Sequence, residues 1–342
     1  MTTLVTGAAG FVGSHVVRQL AAGGEPVRAL VRSAAGRRVL EGLPVEVVCG
    51  DLRDPESLEW ACRGVRRVYH VAADYRLWAR RPEEIYENNV TGTRNLLEAS
   101  RRAGVERFVH TSTVATILGR GEPRPGALPD ETTAATVDEM IGHYKRSKFL
   151  AEQAALQAAA AGLPVVIVNP TAPVGPGDWK PTPTGRIILD FLRGRMPAYV
   201  DTGLNLVAVE DVAAGHLLAA ERGRVGERYI LGNRNMTLEE ILGVLARITG
   251  RRPPRVRLPH AVAYAAGAAC ELAARFTGRE PRIPLEGVRM SRHKMFVNPA
   301  KAVRELGFAP GPVEAALERA VGWYRDPTLG AGCCHALGGV AA

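Results

Sequence analysis

The chain reads as an α/β protein built on a doubly wound parallel sheet, with a smaller C-terminal substrate-binding region. Three observations predict this. An apolar run breaks at a glycine turn, Leu4-Val5-Thr6-Gly7-Ala8-Ala9-Gly10-Phe11-Val12-Gly13, and a helix-periodic segment follows at once. Short β-branched runs then alternate with helical patterns to about residue 170, as in a sheet covered on both faces. From Pro170 to Pro183 the composition shifts to proline and glycine, which marks the start of a second region.

Gly7 permits the turn, Gly10 lets a diphosphate approach bare backbone, and Gly13 lets the first helix pack closely on the strand. The spacing is G-x-x-G-x-x-G rather than the G-x-G-x-x-G of many dinucleotide sites. Gly23-Gly24 ends that helix, and a second strand over 27–31 runs into Arg32-Ser33. An acidic residue there would bind a ribose 2′-hydroxyl. Arg32 suits a 2′-phosphate instead, which favours NADP(H) over NAD(H). A third strand, 45–48, leads to Gly50-Asp51-Leu52, and Asp54-Pro55 caps the next helix. A fourth strand, 67–71, ends in Ala72-Ala73, small enough for a cofactor to cross the sheet edge. Pro82 opens one long helix to about Arg102, and a fifth strand over 107–111 delivers Ser112-Thr113. Residues 118–137 read as a loop. Helix resumes through Tyr144 and Lys148 to about Ala161, and a strand over 165–168 ends at Asn169-Pro170.

Residues 1–170 are thus expected to form the nucleotide-binding domain, completed by about 205–232, with 171–204 and 233–326 forming the substrate region. Within these, the pattern predicts a helix near 185–193, a strand over 205–209, a helix over 212–220 and a strand over 229–231. Thr237-Leu238-Glu239-Glu240 is a capping box. The alanine-rich helix 260–276 is expected to pack against the substrate region rather than touch a membrane. A short helix between Asn298-Pro299 and Gly307 and a last one over 313–325 follow, and 327–342 reads as a mobile tail.

With 342 residues, 46% hydrophobic and 23% charged, the composition is that of a globular protein. The net charge of +9 is spread over scattered arginines with no aromatic-interleaved basic stripe, which argues against nucleic-acid binding. It suits an anionic cofactor, a phosphorylated substrate or an acidic membrane surface. Five cysteines in no repeated spacing give neither a disulfide framework nor a metal site, so a reducing, cytoplasmic setting is expected. The glycine loop leaves no room for a signal peptide, and no run of roughly 18 apolar residues predicts a membrane span.

Tyr144 and Lys148 are four apart, on one helix face. A free tyrosine, with a pKa near 10, is a poor base at neutral pH; a nearby ammonium favours the phenolate and lowers that value. With a hydroxyl from Thr113 or Ser112 holding a substrate oxygen, Tyr144 becomes the acid/base of a secondary alcohol or ketone while a nicotinamide exchanges hydride with the carbon.

These motifs together resemble the extended short-chain dehydrogenase/reductases, the NAD-dependent epimerase/dehydratase family, whose core is a Rossmann fold. The resemblance rests on Thr6-Gly7-x-x-Gly10-x-x-Gly13, Gly50-Asp51-Leu52, Val71-Ala72-Ala73, Asn89-x-x-Gly92-Thr93, Thr111-Ser112-Thr113, Tyr144-x-x-x-Lys148, Asn169-Pro170 and the stretch from Asn298 to Gly307. His70 to Trp78, Asp138 to Lys148, Lys180 to Arg186 and Asp201 to Val207 are similar to the hopanoid-associated sugar epimerase group, which is itself close to dihydroflavonol-4-reductase-like proteins. The resemblance implies that Thr113, Tyr144 and Lys148 are catalytic. It implies that Phe11 and Val12 give N–H groups to the diphosphate, that Asp51 and Leu52 meet adenine, and that Pro170 lies near the nicotinamide. Lys148 would also hold the nicotinamide ribose, and homodimers would pair the helices ending near Arg102 and Ala161.

The family's 4,6-dehydratases carry Asp-Glu directly after the catalytic hydroxyl; here Val114-Ala115 follow Thr113, so that reaction is not expected. Two oxidoreductase readings remain. An epimerase would oxidise and re-reduce a sugar or polyol-like substrate, in hopanoid (triterpenoid) metabolism. A dihydroflavonol-reductase-like enzyme would consume NADPH. Asn169 resembles the diphosphate-contacting asparagine of nucleotide-sugar epimerases and favours the first; Arg32 favours the second. A non-catalytic nucleotide sensor would commonly lack the Tyr or the Lys, and both are present.

Overall fold

The computed structural model describes residues 2–119 and 127–326. Part of the 118–137 loop and the tail read as mobile fall outside them. The chain opens with β1 (Thr2–Thr6), α1 (Phe11–Ala22), β2 (Val27–Val31), α2 (Ala34–Arg38), β3 (Glu46–Cys49), α3 (Pro55–Ala61) and β4 (Val65–His70). Then come α4 (Glu83–Tyr86), a π-helical turn (Glu87–Thr91), α5 (Gly92–Arg102), β5 (Arg107–Thr111), α6 (Gly142–Ala160) and β6 (Val165–Pro170). β7 (Ala172–Val174), α7 (Pro183–Leu192), β8 (Ala198–Val200), β9 (Gly203–Ala208), α8 (Val209–Arg222) and β10 (Arg228–Leu231) follow. The remainder is β11 (Arg234–Thr237), α9 (Leu238–Thr249), β12 (Val256–Leu258), α10 (His260–Thr277), α11 (Leu285–Met290), α12 (Ala300–Leu306) and α13 (Val313–Arg325).

Seven parallel strands form the main sheet in the order β10-β6-β5-β4-β1-β2-β3. The direction of winding reverses between β1 and β4, the position where such sheets open a crevice at their carboxyl ends. Because side chains alternate across a strand, β1 feeds both faces. Val5 packs with Val16, Val17, Val212 and Leu306 on one side, and Leu4 with Leu58, Leu96 and Ala155 on the other. A second sheet, β11-β9-β7, buries Leu206 and Met236 with Phe191, Ile241, Leu245 and Leu317 beneath α7, α9 and α13.

Three expectations need correction. β9, assigned from sequence to the completion of the main sheet, pairs with β7 and β11 instead; α8 and β10 return to the first domain, and so does α12, assigned from sequence to the substrate region. The helix opened by Pro82 runs unbroken to Arg102 as expected but is not α-helical throughout, since five residues wind as a π turn before α5. The alanine-rich α10 buries only Gly267 and Ala274, so it does not pack broadly on the substrate region.

Candidate active site

A cleft of about 1110 Å³ opens along the carboxyl ends of the main sheet and extends beneath the second sheet and α11. Its lining includes Gly7, Gly10, Phe11, Val12, Gly13, Arg32, Asp51, Leu52, Ala72, Ala73, Thr113, Tyr144, Lys148 and Pro170, every residue singled out from sequence for cofactor or catalysis.

The glycine loop is built by close approach. Gly7 has φ +66°, and a Cβ there would lie 2.6 Å from the Ala72 nitrogen. A Cβ on Gly13 would lie 2.1 Å from the Gly7 carbonyl oxygen. α1 begins at Gly10 with no side-chain cap, so the N–H groups of its first turn have no intrahelical partner and suit an anion. This cradle, which any side chain would fill, fits the diphosphate of a nicotinamide dinucleotide.

Behind the loop, the Thr93 hydroxyl donates to the Asn89 carbonyl oxygen (2.6 Å), which leaves Thr93 Oγ1 to accept from His70 Nε2 (2.9 Å). His70 Nδ1 then accepts from the Thr6 hydroxyl (2.8 Å), and Thr6 Oγ1 accepts the Ala72 N–H (3.3 Å). Burial pushes His70 down to about 3, which keeps the ring neutral for this relay of bonds. Asn89 ties three pieces together. Its Oδ1 accepts from Asp74 N (2.7 Å), and its Nδ2 donates to the Asp74 carbonyl (2.8 Å) and to Ser147 Oγ (2.9 Å) on α6. Sequence reasoning listed Asn89 as a motif residue but missed this role; the π turn sets its direction and leaves no sequence periodicity to find.

At the reacting end, β5 delivers Thr113, whose side chain caps a 3₁₀ turn (Val114–Thr116) by accepting from Ala115 N. Lys148 is buried, donates to the Thr111 carbonyl (2.8 Å), and is pushed down to about 8 by burial, with Glu152 opposing. Tyr144 differs from expectation. Burial raises its phenol to about 12, the Thr113 hydrogen bond opposes this, and Glu286 adds to the rise. Desolvation outweighs any help from Lys148, whose ammonium is committed to a carbonyl. At neutral pH Tyr144 is a neutral O–H donor beside a hydroxyl.

Asn169 is also not where the epimerase analogy puts it. It is fully buried, absent from the cleft lining, and its Nδ2 shares its two hydrogens among the Thr113 carbonyl, Thr116 Oγ1 and Glu152 Oε2, 2.8–3.1 Å away. Its amide braces the Thr113 turn.

Arg32 lies exposed in the cleft just beyond β2, near enough to Asp51 to help Arg53 hold that carboxyl below its usual range. At the far end the 74–78 loop, the 180–187 segment, β9 and the 287–295 segment converge: Tyr75 donates to the Lys180 carbonyl (2.9 Å), and Leu77, Ile187, Leu204, Leu238, Met290 and Met295 line the wall. The first three segments carry stretches quoted above for their family resemblance, and the fourth does not.

α11 also brings Glu286 to the start of α6. Glu286 Oε2 accepts from His143 N (3.2 Å), and a Cβ on Gly142 (φ +78°) would lie 1.8 Å from the Glu286 carboxyl carbon. Burial raises Glu286 to about 7. A carboxyl raised from 4.5 holds its proton more tightly in the folded state than in the unfolded one, so folding stability falls as pH rises from about 4.5 to about 7. Glu286→Gln keeps the acceptor and removes the titration. Thermal unfolding across this range should show the variant gaining on the wild type, by on the order of 2 kcal/mol at pH 8; parallel curves would refute this placement.

A Rossmann sheet, a glycine cradle at its switch point and a Thr-Tyr-Lys set on β5 and α6 define a nicotinamide-dependent enzyme of the extended short-chain dehydrogenase/reductase type. The chain belongs to the NAD dependent epimerase/dehydratase family, whose model matches residues 3–232. It is 47% identical over 326 residues to a Synechocystis protein assigned as a dihydroflavonol 4-reductase, covering 94% of each chain. It is 39% identical over 328 residues to sterol demethylase protein B of Methylococcus capsulatus, covering 95% of this chain and 99% of the other. Among solved structures, the Thermus thermophilus UDP-glucose 4-epimerase complex with NAD matches with a TM-score of 0.75 at 27% identity, over 95% of this chain and 99% of that one.

Proposed function

We propose that the protein is an NADP(H)-dependent carbonyl reductase acting on a ketone of an apolar, ring-bearing substrate of triterpenoid (hopanoid-like) type. The observation that carries this over sugar epimerisation is Asn169: its amide nitrogen is engaged inside the fold and it does not line the cleft, while Leu77, Ile187, Leu204, Leu238, Met290 and Met295 set apolar surface among the polar groups of the substrate end. The relatives named as a reductase and as a sterol demethylase protein support the same class.

In this reading Gly7, Gly10 and Gly13 clear a path for the diphosphate, which Phe11 and Val12 hold through backbone N–H groups. Asp51 and Leu52 flank the adenine, Ala72, Ala73 and Pro170 flank the nicotinamide half, and Arg32 pairs with the 2′-phosphate. The bound cofactor supplies hydride. Thr113 donates a hydrogen bond to the substrate carbonyl oxygen. Tyr144, protonated at neutral pH, gives its proton to that oxygen as negative charge develops, a general-acid role. Lys148, fixed by the Thr111 carbonyl, holds the nicotinamide ribose and keeps positive charge near the phenolate that remains. A homodimer through the α5 and α6 faces and a cytoplasmic setting belong to the same proposal.

The test is cofactor turnover. Purified protein given a polycyclic ketone should consume NADPH mole for mole, and Arg32→Ala should weaken NADP(H) at least tenfold more than NAD(H). Each tenfold corresponds to about 1.4 kcal/mol. NAD that stays bound and never exchanges would overturn the reductase in favour of an epimerase; equal weakening of both cofactors would remove the 2′-phosphate role.

A further inference from the structure

Between its ends α10 is apolar except for the Glu271–Arg275 pair, yet only one side is covered. Gly267 and Ala274 face inward, with Gly267 against Val288 and Leu285 of α11. The opposite side carries Val262, Ala265, Ala266, Ala269, Leu272, Ala273 and Phe276, spaced three or four apart, and every one is exposed. Phe276 is 84% exposed, Leu272 57% and Val262 50%. Val256 before this helix and Ile283 after it are exposed too, so six of the ten exposed large hydrophobics among the described residues fall within 256–283 when Tyr264 is included. Scattered single apolar residues need no explanation, whereas a contiguous stripe does.

Charge says what covers it. Residues 251–294 hold ten lysines and arginines against three glutamates, so seven of the chain's net nine positive charges lie in this segment. Arg255, Arg279 and Arg282 are exposed and make no ion pair among the described residues, and Arg289 lies 5.9 Å over the Tyr264 ring at the border of the stripe. An apolar stripe edged by arginines matches a bilayer interface, where the hydrocarbon boundary takes the side chains and anionic headgroups take the guanidiniums. No helix among the described residues is long and apolar enough to cross a membrane, so contact along the surface is the geometry left. A second copy of this chain would meet the same arginine rim and repel it.

We propose that the exposed face of α10 docks on an anionic lipid surface. α11, packed on the covered side of α10, contributes Gly287 and Met290 to the cleft lining. Docking therefore holds the substrate end of the cleft one helix layer away from the lipid in which an apolar substrate resides. The docking itself does not depend on the reductase reading.

Co-sedimentation of the full-length protein with vesicles tests this. Binding to vesicles of equal parts phosphatidylglycerol and phosphatidylcholine should exceed binding to pure phosphatidylcholine by about tenfold or more and weaken with salt. Leu272→Asp combined with Phe276→Asp should abolish binding while melting temperature and NADPH affinity stay unchanged. Phe276→Ser alone, at a side chain too exposed to support the fold, should reduce it. Failure of the wild type to bind anionic vesicles, or binding indifferent to these substitutions, overturns the proposal. So does a double variant whose change is loss of a dimer, because the stripe would then be a subunit interface. None of these failures touches NADPH consumption.

Discussion

Tyr144→Phe should lower turnover by about 10²- to 10⁴-fold, the range that a positioned acid/base contributes, with NADP(H) affinity and melting temperature unchanged. The ring fills the same space in the variant, and only the hydroxyl beside Thr113 is lost. Burial raises that hydroxyl to about 12, so removing it strips no favourable charge from the folded state at neutral pH. Single-turnover rates together with cofactor titration separate the two effects. Turnover within a few-fold of wild type would move the proton source elsewhere in the cleft. A parallel fall in cofactor affinity would make Tyr144 a binding residue and not an acid.

Gly13→Ala should weaken NADP(H) binding by on the order of 10²-fold and destabilise the fold by about 1–3 kcal/mol, the usual cost of overpacking. The added carbon would stand 2.1 Å from the Gly7 carbonyl oxygen and 2.8 Å from its carbonyl carbon, and both are backbone atoms with no rotamer to yield. Relief requires α1 to lift from the sheet, against Val16, Val17 and Leu20, which are fully buried beneath it. Gly24→Ala is the control. Its φ is +73° but nothing lies within 4 Å, so it should cost about 1 kcal/mol and leave cofactor affinity alone. Equal behaviour of the two variants in cofactor titration would mean that the loop does not depend on close packing at Gly13.

The parts of the site that were legible in the sequence are those where one residue type has one physical use. Gly7, Gly10 and Gly13 mark backbone that must stay bare, and Tyr144 and Lys148 share a face because a helix repeats every 3.6 residues. What stayed hidden depends on partners far along the chain. The Tyr144 phenol is raised by burial and by the charge of Glu286, a residue far along the chain. Asn169 has the neighbours of a ligand-binding residue in sequence, but Glu152 and Thr116 claim its amide nitrogen from inside. β9 has a strand pattern in either sheet, and only its pairing with β7 and β11 decides which. The π turn at Glu87–Thr91 alters no hydrophobic spacing strongly enough to be read, yet it aims Asn89.

The late return of β10 to β6 has a consequence for how the chain is made. β6 is buried along its whole length, and among the described residues its outer edge is closed by Arg228–Leu231, some sixty residues downstream. While those residues are still inside the ribosome, the nascent first domain presents an open edge carrying Val165-Val166-Ile167-Val168, a template for pairing with another chain. Fragments ending between 171 and 227 keep that edge permanently. Such truncations should collect as aggregates even though every glycine of the nucleotide loop and the whole Tyr144–Lys148 helix is present.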